Sequence, residues 1–426
     1  MHHFAYDQER LCAESVSVEV LVSQHGTPLY AYSKSTLEDH YRKLDQALAG
    51  VDHRILFAMK ANSNLAVLKT LADLGAGFDI VSGGELFRAI KAGGAPSSCT
   101  FAGVGKTVEE IRYALEQGVL AFNVESEAEL DAIDRVACGM GVKAPVALRV
   151  NPNVDAGTHS KITTGTYENK FGIAYEQIEA IYQRASGLHG IRLAGLQTHI
   201  GSQITTVAPF QRAIEKLAPL AAKLKDRFGI SFFDIGGGLG IVYDPALESG
   251  GEGWWEGDDK PLTPATYAKT LAPIVSGLGL KILVEPGRFI CGNAGILVAR
   301  VLYVKKTGSK RFVIVDAAMN DLIRPAFYES YHQIVPVRRD LSRPLLPTDV
   351  VGPICESGDV FCKDRPLPEF QEGDLVAFLS AGAYGFAMSS NYNSRPRAAE
   401  LLVSGDQAKV VRQRETWDDL IRGESL

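Results

Sequence analysis

Residues Phe57-Ala58-Met59-Lys60-Ala61-Asn62 close an apolar run that begins at Ile55, breaks off on a lysine and leads into a helix-period segment over Leu65–Leu74. A short buried strand followed at once by a helix is one βα unit, and the lysine marks the carboxyl end of its strand. A lysine in that place can sit in a dry pocket, shed part of its hydration and serve as a neutral amine that forms a Schiff base. It can equally reach past the strand into water, and this stretch alone leaves both readings open.

Outward from that unit the pattern repeats. Gly77–Val81, Thr100–Gly103, Leu120–Val124, Val146–Val150, Leu193–His199, Phe232–Ile235 and Ile282–Val284 read as further short strands rich in Val, Ile, Leu, Phe and Ala. Between them Gly84–Ala92, Val108–Gln117, Glu127–Cys138, Tyr175–Ala185, Val207–Phe228 and Pro264–Leu278 carry the helical period. Eight strands alternating with helices over about 230 residues predict an α/β architecture, a closed (β/α)8 TIM-like barrel. Its chemistry belongs at the carboxyl-end mouth, where two connections are long: Asn151–Tyr175, with Gly157 and Gly165, and Gly236–Thr263, with Gly250-Gly251-Glu252-Gly253.

From Gly295 the texture changes to β-type runs, Ile296–Val304, Arg311–Val315, Asp349–Gly352, Leu375–Leu379 and Leu401–Val403, parted by turn residues. These predict a C-terminal all-β domain joined by the N-terminal strand Leu29–Tyr32. The domain expectation is residues 34–290 for the barrel, with 1–33 and 291–426 for the β domain. Ser35 and Glu38 have capping-box spacing and place a helix start there. Arg412–Leu426 reads as a surface helix and tail.

The composition of the 426 residues, 46% hydrophobic and 22% charged with a net charge of -6, is that of a globular protein without a basic footprint for nucleic acid or an anionic membrane. A small-molecule partner is the better expectation. Cys12, Cys99, Cys138, Cys291, Cys355 and Cys362 are scattered, with neither disulfide-framework nor zinc-site spacing, and no metal is expected; His2 and His3 read as an ordinary chain start. Without a basic-then-apolar leader or a membrane-length apolar run, the expected location is the cytoplasm.

Polar residues converge on the strand ends. Lys60 ends the first strand, Asp79 the second, Arg149 the fifth, His199 the sixth, Gly236-Gly237-Gly238 the seventh and Glu285-Pro286-Gly287-Arg288 the eighth. Singly each has a structural reading, a helix cap for Asp79 or a satisfied histidine for His199; together on one rim they are hard to explain by packing. Gly236-Gly237-Gly238-Leu239-Gly240 is not the GxGxxG fingerprint, but its open backbone N–H groups suit the phosphate site common after strands 7 and 8, with Arg288 as a charged clamp. Phosphate, amine and carboxylate on one rim describe a pyridoxal phosphate pocket, with Glu285 on the pyridine nitrogen and His199 stacked on the ring.

The segments Phe57–Asn62, His199-Ile200-Gly201-Ser202-Gln203, Gly236–Gly240, Glu285–Arg288, Gly352-Pro353-Ile354-Cys355-Glu356-Ser357-Gly358-Asp359 and Ala383-Tyr384-Gly385 together resemble the barrel-type, fold type III pyridoxal phosphate-dependent decarboxylases, and most closely the diaminopimelate decarboxylase family. The resemblance implies pyridoxal 5'-phosphate on Lys60, with Asp79, His199, Ser202, Gly237, Gly238, Glu285, Pro286, Gly287, Arg288 and Tyr384 around it. It implies that Cys355 is the acid that protonates Cα, reaching with Glu356 into the partner's barrel in a two-fold homodimer. A substrate with an amino-acid group at each end needs cations and an anion at its far end; Arg288 and Arg324 suit the first, Glu356 the second, and Tyr328 and Tyr384 add hydrogen bonds. Asp321-Leu322-Ile323-Arg324-Pro325 also matches the diaminopimelate branch. The implied reaction is meso-2,6-diaminopimelate to L-lysine and carbon dioxide, the last step of lysine synthesis. The rivals are an ornithine, arginine, lysine or carboxynorspermidine decarboxylase, a racemase of similar barrel type, and a non-catalytic regulator that binds a partner protein.

Overall fold

Each barrel strand is an apolar run because a parallel sheet covered by helices has no wet face. In the computed structural model, which describes residues 2–155, 170–250 and 262–426, the strands are β1 (His53–Ala58), β2 (Gly77–Ile80), β3 (Cys99–Phe101), β4 (Ala121–Val124), β5 (Ala144–Asn151), β6 (Ile191–Gln197), β7 (Phe232–Asp234) and β8 (Lys281–Val284). All neighbours pair in parallel, and β8 pairs with β1 through Ile282 opposite His53, so the sheet closes. The expected eight-stranded barrel is present.

Side-chain caps start the helices just beyond the rim. Asn64 accepts from the Ala66 N–H ahead of Leu65–Asp73, Ser82 from Glu85 N–H ahead of Gly83–Lys91, and Ser126 from Glu129 N–H ahead of Glu127–Met140. Thr107 and Glu110 form a reciprocal capping box on Val108–Gln117, which ends on left-handed Gly118. These stops leave short loops, so residues one or two past each strand stay on the rim. Gly157, Gly165, Gly251, Gly253 and the variable stretch Trp254-Trp255-Glu256 lie outside the described residues.

The contacts divide the chain into two units, one of Tyr41–Ile241 with Asp259–Phe289, which holds the barrel, and one of Met1–His40, Val242–Asp258 and Ile290–Leu426. In the latter the long strand Gly295–Thr307 pairs antiparallel with Leu29–Ser33, Leu375–Phe378 and Lys310–Val315. The N-terminal strand therefore belongs to the β sheet, as its sequence suggests. Leu29, Ala31, Ile296, Val298, Ala377, Leu401 and Val403 form part of its core.

Two local expectations are corrected. The helix expected to start at Ser35 runs Lys34–Ala47, and its cap is Ser33, whose Oγ accepts from Thr36 N–H at 3.1 Å; Ser35 lies inside the helix, its N–H donating to Glu14 Oε1. Ser33 and Ser35 offer the same hydroxyl, and Glu14 Oε1 accepts from both the Ser33 hydroxyl and the Ser35 N–H, tying the helix start down. Strands at Phe4–Asp7, Arg10–Ala13 and Val360–Pro368 were not evident in the sequence. The last contains Lys363-Asp364-Arg365 and two prolines, which a sheet tolerates because this strand lies on its edge.

Candidate active site at the barrel rim

Lys60 lies in a single 3-10 turn, Met59–Ala61, directly after β1, with Met59 and Ala61 buried. The parallel register sets Ala58 opposite Asp79 at the end of β2. Lys60 Nζ consequently donates to Asp79 Oδ2 at 3.2 Å, the carboxylate buried and the lysine side chain 40% exposed. The part-exposed lysine side chain is thus oriented by a buried acid. The Glu285–Arg288 turn packs on the same feature: Ala58 N–H donates to Pro286 O at 3.1 Å, and a Cβ on Gly287 would lie 3.0 Å from the Ala61 methyl.

Glu285 follows β8. Asn123 Nδ2 of β4 donates to its Oε1 and Gln197 Nε2 of β6 to its Oε2, both at 3.3 Å. Asp234, at the end of β7, accepts from Gly236 N–H at 2.9 Å. Burial pushes the Asp234 carboxyl from its ordinary 3.8 up to about 7. Burial also holds Glu285 well above the usual carboxylate range, reinforced by the negative charges of Asp234 and Asp79 and opposed by Lys60. Asn123, Gln197 and Asp234 carry no motif, and their only sequence signal is a polar residue at the end of an otherwise apolar strand.

His199 Nδ1 accepts from Gly237 N–H at 3.2 Å. Burial, then the cations Lys60 and Arg149, hold its pKa well below the usual imidazole range, so the ring is neutral and its other nitrogen carries the hydrogen. The glycine loop allows no side chain: a Cβ on Gly237 would lie 2.0 Å from Glu285 O, and one on Gly238, at φ +114°, 2.5 Å from Gly201 O. Buried Arg288 donates through Nη2 to Ser202 Oγ at 3.0 Å. Arg149 donates to Glu125 Oε1 at 2.8 Å, and Glu125 in turn accepts from Gly172 N–H. No local pattern in the sequence marks this ion pair.

Cys355, Glu356, Arg324, Tyr328 and Tyr384 lie on the second unit. Cys355 and Glu356 are exposed on a turn tied down by buried Asp359, whose two oxygens accept from Ile354 N–H (2.9 Å) and Met319 N–H (2.7 Å). Cys355 N–H donates to Asn393 Oδ1 at 3.1 Å. Arg324 and Tyr328 open and close one short helix. Tyr384 has the left-handed φ of +56°.

The family described as "Pyridoxal-dependent decarboxylase, pyridoxal binding domain" matches residues 34–292. Barrel, rim lysine and buried acid thus define the class, a barrel-type pyridoxal-dependent decarboxylase. Diaminopimelate decarboxylase of Pseudomonas aeruginosa is 50% identical over 427 residues, covering 100% of this chain and 99% of that protein. That of Vibrio cholerae is 47% identical over 100% and 99%. Among solved structures, diaminopimelate decarboxylase from Helicobacter pylori complexed with L-lysine matches at TM-score 0.88 and 40% identity, covering 95% of this chain and 98% of that one. The M. jannaschii enzyme in co-complex with L-lysine matches at TM-score 0.90 and 34% identity over 100% and 99%. The chain belongs to the diaminopimelate decarboxylase family of that class.

The rim fits the cofactor of the class, pyridoxal 5'-phosphate. Among the described residues Asp79 Oδ1, Asn123 Oδ1, Gln197 Oε1 and Asp234 Oδ2 are buried acceptors that no donor reaches. Burial raises the Asp234 and Glu285 carboxyls, so the buried acceptors at these strand ends favour a cation or donor beside them, which a protonated ring nitrogen would supply. The loop at Gly236–Gly238, packed flush against its neighbours, presents bare backbone, as a phosphate requires. Among the described residues no group of acids, histidines or cysteines could hold a metal ion, and no helix is long and apolar enough to cross a membrane.

Proposed function

We propose that this protein decarboxylates meso-2,6-diaminopimelate to L-lysine and carbon dioxide, the last step of lysine synthesis, as a cytoplasmic homodimer. The observation that carries the reading is the 50% identity with a diaminopimelate decarboxylase over the whole chain, joined to a rim that sets a lysine beside a buried acid.

Pyridoxal phosphate, when bound, supplies an electron sink for the pair left as the bond from Cα to the carboxylate breaks. Lys60 Nζ is the amine that holds it, and Asp79 orients that amine and balances its charge. Glu285, held by Asn123 and Gln197, would pair with the ring nitrogen and, with Asp234 nearby, favour its protonated form. His199, neutral and held by Gly237, offers a flat uncharged face for the ring. Ser202, Gly237, Gly238, Arg288 and Tyr384 take the phosphate. Arg288 and Arg324 bind the far carboxylate, Glu356 the far ammonium, and Tyr328 and Tyr384 hydrogen-bond the substrate. Cys355 Sγ, reaching from the partner subunit, delivers the proton that replaces carbon dioxide on Cα, and Lys60 accepts and returns protons as product leaves.

The test is carbon dioxide release from purified holoenzyme given meso-diaminopimelate, ornithine, arginine or lysine. Strong preference for diaminopimelate supports both reaction and substrate. Preference for one of the other three keeps the chemistry and overturns the substrate, and no release from any overturns the reading.

A further inference from the structure

The second unit buries an imidazole to which the chemistry above gives no task. His332 is 1% exposed, and both its ring nitrogens are engaged. Arg324 Nη1 lies 2.8 Å from Nε2, and the Leu379 carbonyl oxygen 2.8 Å from Nδ1. A guanidinium only donates and a carbonyl only accepts. Nε2 therefore carries the lone pair and Nδ1 the hydrogen, so one neutral tautomer satisfies both neighbours. The backbone is pinned as well: Arg365 Nη1 donates to His332 O at 2.5 Å, and Leu379 N–H to Gln333 O at 2.9 Å. The ring is a fixture rather than a rotor.

What it fixes is Arg324. That guanidinium is 5% exposed; its Nη2 donates to Ser330 Oγ at 3.3 Å, and its Cζ lies 4.9 Å from the centre of the Tyr243 ring. Tyr243 meets His332 edge to face, 5.4 Å between centroids and 82° between planes. His332, Ser330 and Tyr243 are uncharged, so these three contacts orient the fork and none of them cancels its charge. A carboxylate in place of His332 would orient Arg324 equally well and neutralise it.

We propose that His332 is the positioning residue of the cationic subsite. By accepting from Arg324 it holds the guanidinium ready for the second carboxylate of the substrate, and so sets the preference for ligands ending in a carboxylate over those ending in an amine alone. This rests on the role given to Arg324 under the proposed function.

The experiment measures, on holoenzyme, kcat and KM for meso-diaminopimelate and inhibition by L-lysine and by 1,5-diaminopentane, which lacks the carboxylate. His332→Phe keeps the ring but loses the acceptor. It should raise KM and weaken L-lysine roughly tenfold or more, with inhibition by 1,5-diaminopentane shifted less than about twofold. His332→Gln, whose amide oxygen reaches the Nε2 position, should recover most of the loss. His332→Asn, which keeps only the donor to Leu379, should behave as Phe does and serves if the Phe variant does not fold. Equal weakening of both inhibitors, or no rescue by Gln, overturns the inference in favour of a packing role. If Arg324→Ala loses the discrimination and the His332 variants keep it, His332 alone is wrong. If Arg324→Ala keeps it, the role given to Arg324 fails and the inference falls with it.

Discussion

Lys60 and Asp79 meet because the register between β1 and β2 sets Ala58 opposite Asp79, and the proposed chemistry starts from that contact. Lys60→Ala should lose the visible absorbance of bound cofactor and nearly all turnover; normal turnover would remove the lysine from the mechanism. Cys355→Ala should still bind cofactor but slow by roughly a hundredfold or more, the usual worth of a positioned acid. An unchanged rate would disqualify it as the proton donor. Asp234 makes a pH prediction. Its folded pKa of about 7 lies above its ordinary 3.8, so the folded chain holds a proton that the unfolded chain releases between those values. Stability of the cofactor-free protein should therefore fall as pH rises from about 4 to about 7. Asp234→Asn, which keeps the acceptor for Gly236, should show a shallower decline of melting temperature over that range; an identical slope would deny the buried proton.

Elements here are set by their ends more than by their middles. The apolar runs announce eight barrel strands within a few residues of where they lie, because a doubly covered strand must be apolar along its length. Helix starts are less legible. Thr107 with Glu110 gives a capping box, yet the same spacing at Ser35 and Glu38 misplaces the start that Ser33 makes. Thr107→Ala should cost about 1 kcal/mol in urea unfolding while leaving turnover unchanged; no loss of stability would mean the cap is redundant. At the loop after β7, Gly237→Ala would press a methyl to within 2.0 Å of the Glu285 carbonyl. The variant should release cofactor more readily on dialysis than the wild type, and equal retention would show that the loop can yield.

For the molecule as a whole, the lysine and the proposed proton donor stand on different units of one chain. If Cys355 serves the partner's barrel, a mixture of Lys60→Ala and Cys355→Ala proteins, each nearly inactive, should regain about a quarter of wild-type activity once subunits exchange, since half the dimers then carry one intact site of two. Mixing without recovery would place both residues in the same chain's site.

The sequence alone determined the barrel, the sheet that claims Leu29–Ser33, and the residues with local marks: a lysine after an apolar run, three consecutive glycines, a glutamate before Pro-Gly-Arg. Periodicity and backbone demands are written into neighbouring residues, so they can be read without a fold. Only the tertiary structure decided that Asn123 and Gln197 fix Glu285, that Asp234 shares its burial, that Arg149 is paired to Glu125, and that His332 holds Arg324. Those pairs span 24 to 162 positions apart from the last, which spans 8. Their energies depend on burial and on register between strands, and neither quantity exists until the sheet has closed.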